Sequence, residues 1–187
     1  MANNLLKGKR GIIFGALNEQ SIAWKVAQRA REEGATFVLT NAPIAMRMGE
    51  ISNLAKETGS EIIPADATSV EDLDNLISKS MEILGGKLDF VLHSIGMSPN
   101  VRKGKHYTEN NYAFYNQSMD VSAISLHKTL ASCYKLDALN EWSSVVALTY
   151  IAAQRIFPDY NDMADAKSLL ESITRSFGYH YGIKKKV

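Results

Sequence analysis

Apolar positions along the chain switch between two periods. Short apolar runs at Gly11-Ile12-Ile13-Phe14, Ala35 to Thr40, Glu61-Ile62-Ile63-Pro64, Leu88 to Leu92 and Ser144 to Leu148 predict five strands. Longer stretches between them repeat at helical spacing. Ser21 to Glu33 places Ile22, Val26 and Ala30 on one face, with Ala23 and Ala27 beside them. Pro43 to Thr58 reads as a helix with its proline in the first turn. Ser69 to Leu84 reads as another, capped by Thr68 or Ser69, with Glu71 and Asp72 at its positive end. A long, partly amphipathic stretch from Glu109 to Tyr134 and a final helix from Tyr160 to Gly182 complete the pattern.

Strands alternating with helices of this length predict an α/β fold, a doubly wound parallel sheet of the Rossmann type in three layers. Residues 1–187 read as a single domain of this kind. Composition changes the picture only by exclusion. With 45% hydrophobic residues, 22% charged residues and a formal net charge of +1, the chain can bury a core and gives no bulk electrostatic case for nucleic acid or an acidic membrane surface. The single cysteine, Cys133, excludes an internal disulfide framework and a cysteine-based zinc site, and suits a reducing compartment. No apolar run has the length of a membrane span, and the first ten residues do not read as a signal peptide. The four histidines, His93, His106, His127 and His180, show no metal-site spacing.

In doubly wound sheets ligands sit beyond the carboxyl ends of the strands, so candidate chemistry follows each strand. Gly15 after the first is either a glycine that lets backbone approach a pyrophosphate or one that merely ends a strand; the G-x-G-x-x-G fingerprint is missing. Thr40-Asn41-Ala42 after the second carries no acidic residue for ribose hydroxyls and no basic pair for a 2′-phosphate. Asp66 after the third is a group that could accept from an adenine amine or a turn aspartate. His93-Ser94-Ile95-Gly96 after the fourth lets the chain pass close to a flat ligand, and its histidine is either catalytic or a satisfied strand-end residue. After the fifth, Tyr160 and Lys167 stand seven apart; at roughly 100° per residue they fall near one helix face, as a catalytic pair or a surface pair. A lysine there could ease charge developing on a tyrosine oxygen, or hold sugar hydroxyls.

The segment Y-x-x-A-x-R-x-x-P-x-Y-N-x-M-x-x-A-K closely resembles the active-site signature of bacterial enoyl-acyl-carrier-protein reductases, within the short-chain dehydrogenase/reductase superfamily. All nine fixed positions are present: Tyr150, Ala153, Arg155, Pro158, Tyr160, Asn161, Met163, Ala166 and Lys167. Gly15 with Ser21-Ile22-Ala23, Asp66, His93 to Gly96 and Asp120-Val121-Ser122 match further family positions. The ordinary superfamily pattern has a shorter Tyr-x-x-x-Lys spacing and a serine on the preceding strand, where this chain has Ala147 and Leu148. Asp162 and Asp165 depart from the family, which more often carries apolar or small residues there, and are expected to alter packing around the Tyr-Lys helix.

The resemblance implies hydride transfer from NADH, with NADPH the lesser alternative, to the β-carbon of a trans-2-enoyl thioester on acyl carrier protein. Tyr160 would donate to the thioester oxygen as enolate charge develops, Lys167 would hold the nicotinamide ribose, and Tyr150 would lie beside the acyl chain and assist proton delivery. Gly15, Ser21, Ile22, Ala42, Asp66, Ala67, Ser94, Ile95 and Gly96 would line the dinucleotide, and Ser98, with Tyr150 and Tyr160, the substrate. It further implies a cytoplasmic homotetramer and no metal. The family continues past the lysine helix into a sixth strand, a substrate lid and a seventh strand, so the chain, stopping at Val187, is expected to lack the last one or two strands. The competing functions are a non-catalytic dinucleotide-binding remnant and a carbonyl-reducing relative.

Overall fold

The computed structural model describes residues 3–48 and 50–187. Four parallel strands, β1 (Arg10–Phe14), β2 (Thr36–Thr40), β3 (Leu88–His93) and β4 (Leu139–Ala147), form one sheet in the order β2-β1-β3-β4. The order reverses beside β1, which creates the crevice at the strand ends expected of a doubly wound sheet.

Strand residues alternate between two cores. Ile12, Phe14, Val38 and Val91 face α4 (Val70–Leu84), α7 (Ser125–Lys135) and α8 (Asp162–Lys185), where they meet Leu73, Leu76, Ile77, Leu126, Leu130 and Leu170. Ile13, Phe37, Leu39 and Leu92 face α1 (Ile22–Glu32) and α3 (Ile51–Thr58), where they meet Ala27, Trp24 and Leu54. Burial on both faces is why the strands read as unbroken apolar runs rather than alternating ones.

Five expectations need correction. The strand at Glu61–Pro64 is a single bridge from Ile62 to Leu39, extended by Ile63 N–H to Leu39 O (3.0 Å) and Ala65 N–H to Asn41 O (3.1 Å). Pro64 falls between those two donors, where its missing N–H faces away from β2, as a proline on a sheet edge must. The buried face of α1 is Ala23, Trp24, Ala27 and Ala30, while Ile22 and Val26 are exposed; small alanines let the helix approach the sheet closely and Trp24 fills what remains.

The Pro43–Thr58 helix is two, α2 (Pro43–Met48) and α3. The Glu109–Tyr134 helix is broken into a 3₁₀ turn at Tyr107–Glu109, α6 (Tyr112–Met119, capped by the Asn111 side chain), a π-helical turn at Asp120–Ile124, and α7. The last strand begins earlier than its apolar run, because Leu139 pairs with Leu88 across an irregular register that puts Trp142 at φ 61°. Ser69, by contrast, caps α4 as read, accepting from Asp72 N–H at 3.2 Å.

The two tryptophans report on opposite environments: Trp24 is 2% exposed and Trp142 74%. The protein carrying Trp142→Phe should therefore emit at the blue, buried position and resist acrylamide, whereas Trp24→Phe should leave red-shifted emission that acrylamide quenches. Equal quenching of the two variants would contradict this packing.

Candidate active site

The residues read as site candidates lie after the carboxyl ends of the strands, in the loops and short turns there or on the first two turns of the helices that follow; Tyr160 lies in the 3₁₀ turn Pro158–Tyr160, before α8. The β1 and β3 loops touch. Gly15 has φ +85°, and a Cβ there would stand 1.9 Å from Ser94 O, so glycine is required by the contact between the loops whether or not a ligand comes near. Ser21 turns its hydroxyl back to accept from Leu17 and Asn18 N–H (both 3.1 Å) instead of capping α1. The first N–H groups of that helix are thus left without a side-chain cap, beside the exposed Ile22. Across the crevice, Ala42 N–H is taken by Asn41 Oδ1 (3.0 Å). Asp66 Oδ1 accepts from both the N–H and the hydroxyl of Thr68, with Ala67 buried behind it. The aspartate makes the turn through Oδ1, while Oδ2 has no hydrogen bond among the described residues, so the turn does not exclude an adenine contact.

After β3, Gly96 runs directly over Lys167: a Cβ at Gly96 would lie 3.7 Å from Lys167 Nζ and 3.3 Å from Met163 Cε. Lys167 itself is 6% exposed, and burial lowers its pKa. Its ammonium donates to Leu148 O at 2.7 Å, and among the described residues its other N–H groups have no protein acceptor. The segment after β4 is held against α8 by that bond, by Thr149 Oγ1 to Glu171 (2.9 Å) and by Ser168 Oγ to Ala153 O (2.9 Å).

Tyr150 and Tyr160 converge. Their ring centroids are 4.7 Å apart, and Phe157 lies 5.2 Å from Tyr150 on the other side. Burial, and then the neighbouring Tyr150, push the Tyr160 phenol above its ordinary pKa, so it remains a proton-bearing donor. Lys167 is bonded to a backbone carbonyl and does not enter among the causes that raise the Tyr160 phenol.

His93 is a buried strand-end histidine satisfied at one of its two ring nitrogens. Its Nε2 meets Ser125 Oγ at 2.8 Å, and because that hydroxyl donates to Val121 O (2.7 Å), the ring nitrogen is the donor and Nδ1 is left without a partner. Burial first, and the Lys167 charge second, lower its pKa to about 3.

The reading of the sequence passed over a polar network beneath the tyrosines. Asp162, fully buried, accepts from Ser98 Oγ (2.5 Å) and Asn100 Nδ2 (2.9 Å), and shares the Ser118 hydroxyl proton (2.9 Å) with Phe114 O (2.8 Å). Ser98 also caps the short helix α5 (Pro99–Arg102). Its hydroxyl is thereby committed to the protein. Asn161, between Tyr160 and Asp162, has φ 44° and ψ −135°, an unfavourable conformation for a residue with a Cβ, costing of order 1–3 kcal/mol. It is held by its own amide donating to Lys105 O (2.6 Å) and by Asn110 Nδ2 donating to its Oδ1 (2.6 Å). One turn along, Asp165 accepts from the hydroxyls of Tyr107 and Tyr115 (3.0 Å each), and burial with this carboxylate pushes Tyr115 up to about 12. Asn161 stood in the signature without a role, and its partners gave no signal because they lie about fifty residues away.

Comparison with known proteins decides the family. The sequence model of the family described as Enoyl-(Acyl carrier protein) reductase matches residues 15–186. The chain belongs to the enoyl-acyl-carrier-protein reductase family. Among curated relatives of this reductase family, an enoyl-[acyl-carrier-protein] reductase [NADH] of Rickettsia bellii is 36% identical over 177 residues, covering 94% of this chain and 66% of the relative. One from Rhizobium meliloti is 32% identical, covering 97% and 65%. A crystal structure of the FabI–NADH complex from Alistipes finegoldii superposes with a TM-score of 0.96 at 64% identity, covering 97% of this chain and 64% of that one. The chain spans about two thirds of the length of the curated relatives it matches. Among the described residues no helix is long and apolar enough to cross a membrane.

The buried histidine makes a pH prediction. Its pKa is about 3 in the folded chain against an ordinary 6.5, so between those values the unfolded chain binds the extra proton. His93 therefore takes nothing from stability above pH 6.5 and progressively more as pH falls below it. By pH 5, about 1.5 pH units under the unfolded pKa, the loss is roughly 2 kcal/mol. Denaturant unfolding at pH 7 and pH 5 should show wild type losing about that much more than His93→Gln. Equal losses would mean that the ring can charge without unfolding.

Proposed function

We propose that this chain carries the dinucleotide site and the catalytic tyrosine-lysine pair of an NADH-dependent enoyl-acyl-carrier-protein reductase of fatty-acid synthesis. The observation that carries this reading is the ring contact of Tyr150 with Tyr160 in the segment after β4, with the buried Lys167 bonded to Leu148 O of that same segment and lying beside Gly96. Residues present fit a dinucleotide. The uncapped start of α1 offers backbone N–H groups to a pyrophosphate. Asp66 has an oxygen free for an adenine amine, and Ala67, Ser94, Ile95 and Gly96 supply close walls. Lys167 has N–H donors to spare for ribose hydroxyls. Neither an acidic residue nor a basic pair stands at Ala42, and the preference for NADH over NADPH rests on the lack of that basic pair and on the relatives' names.

Bound NADH would supply a hydride to the β-carbon of a trans-2-enoyl thioester. The chain's own residues would do the rest. Tyr160, with its proton held by burial, donates to the thioester oxygen where enolate charge develops, an interaction stronger in the transition state than in the ground state. Tyr150, 40% exposed and in tilted ring contact with both Tyr160 and Phe157, lines the acyl path and can pass a proton from solvent to the α-carbon. The α5 loop beginning at Ser98 forms the facing wall. The acyl carrier protein would deliver the substrate in the cytoplasm, and assembly into a homo-oligomer would use the α6–α7 and α8 faces.

The test follows NADH oxidation with crotonyl thioesters in the protein carrying this chain. Turnover is expected, with Tyr160→Phe lowering kcat about a hundredfold and Lys167→Ala raising the KM for NADH. Binding of NADH with no enoyl reduction would leave a nucleotide-binding module, and preference for a ketoacyl substrate would indicate a carbonyl reductase.

A further inference from the structure

We infer that Asp162 is a positioning residue for Tyr160, coupling the loop after β3 to the catalytic phenol; the inference rests on the function proposed above. A fully buried carboxylate is expensive to keep unless its charge is compensated. No lysine or arginine pairs with Asp162 among the described residues. Its compensation comes from three neutral donors, Ser98, Asn100 and Ser118, and from its place in the first turn of α8. Those donors belong to three different positions along a segment that also includes the α5 wall. Asn100, itself fully buried, is fixed in turn by reciprocal bonds with the Asn111 backbone. The carboxylate thus acts as a pin: its directional bonds have one solution, with α5 and α6 docked on the start of α8.

Tyr160 is two residues upstream, across the left-handed Asn161. With Asn161 clamped by Lys105 O and Asn110, and Asp162 pinned by three donors, the backbone that aims the phenol has no independent freedom. The wall that would face the acyl thioester and the hydroxyl that would bond its oxygen are therefore set as one unit. Effective catalysis requires such placement, since displacement of the donor relative to the reacting atom is costly.

The experiment compares wild type, Asp162→Asn, Tyr160→Phe and the double variant. Asp162→Asn retains size but puts an amide N–H where a donor already points. It is expected to lower kcat about tenfold while the KM for NADH stays within about twofold, and to add less than about twofold to the loss in Tyr160→Phe. A second readout needs no turnover. In protein with ¹³C-labelled tyrosine rings, the Tyr160 resonance should shift in Asp162→Asn while that of the exposed Tyr179 does not. Ser118→Ala, which removes one donor, should give the same pattern at about threefold if Asp162→Asn does not fold. Losses that multiply in the double variant, or an unmoved Tyr160 resonance, overturn the inference. Absence of turnover in wild type overturns the functional reading instead, and the resonance then decides this one.

Discussion

Lys167 brings an ammonium to a position that water barely reaches, and much of the site is arranged around that fact. An uncompensated buried charge costs several kcal/mol, so a group must be supplied that accepts from it without competing for its remaining donors. Leu148 O does this, which requires the chain leaving β4 to bend back over α8. The chain passes close above the ammonium at Gly96, where a Cβ would come within 3.7 Å of Nζ. His93 must stay neutral, which its burial and the lysine's own charge accomplish. The loop contact at Gly15 then fixes the β3 loop from the other side. Each of these residues looks independent in the sequence, yet they answer one electrostatic demand.

The second demand comes from Asp162, and it has the opposite sign. The two charges lie on one helix, five residues apart, and are met in different ways: the cation by a single carbonyl, the anion by three side chains. A ligand can still bond the lysine, because its donors are not exhausted. The aspartate, with donors already on both of its oxygens, is turned inward to the protein. One helix thus presents a group kept available for chemistry and a group spent on architecture.

The parts that were legible in the chain are those whose logic is local. Alternating periods gave the parallel sheet and its two helical layers, because strands buried on both faces need unbroken apolar runs. The Tyr160–Lys167 spacing marked the start of α8, but not its geometry: Tyr160 lies in a 3₁₀ turn, and the helix expected from Tyr160 begins only at Asp162, after Asn161 breaks it. Illegible were features decided by tertiary contact. Trp24, and not Ile22 or Val26, fills the α1 interface because alanines on that face bring the helix near the sheet. The long crossover helix breaks at a π turn, where the Ser122 hydroxyl bonds both the N–H and the carbonyl of Met97. Asp162 read as an intrusion in a familiar pattern until its partners, 44 to 64 residues away, were seen around it.

The Leu148 carbonyl has one more implication. It links Lys167 to the sheet, since the N–H of the same residue donates to His93 O at 3.1 Å. Both bonds use main-chain atoms, so the wiring persists with any side chain at position 148 that packs as well against the α1-side core as leucine does. Natural variation should accordingly leave this linkage intact yet write no consensus letter for it. An essential contact of this kind stays silent in any comparison that reads side chains alone.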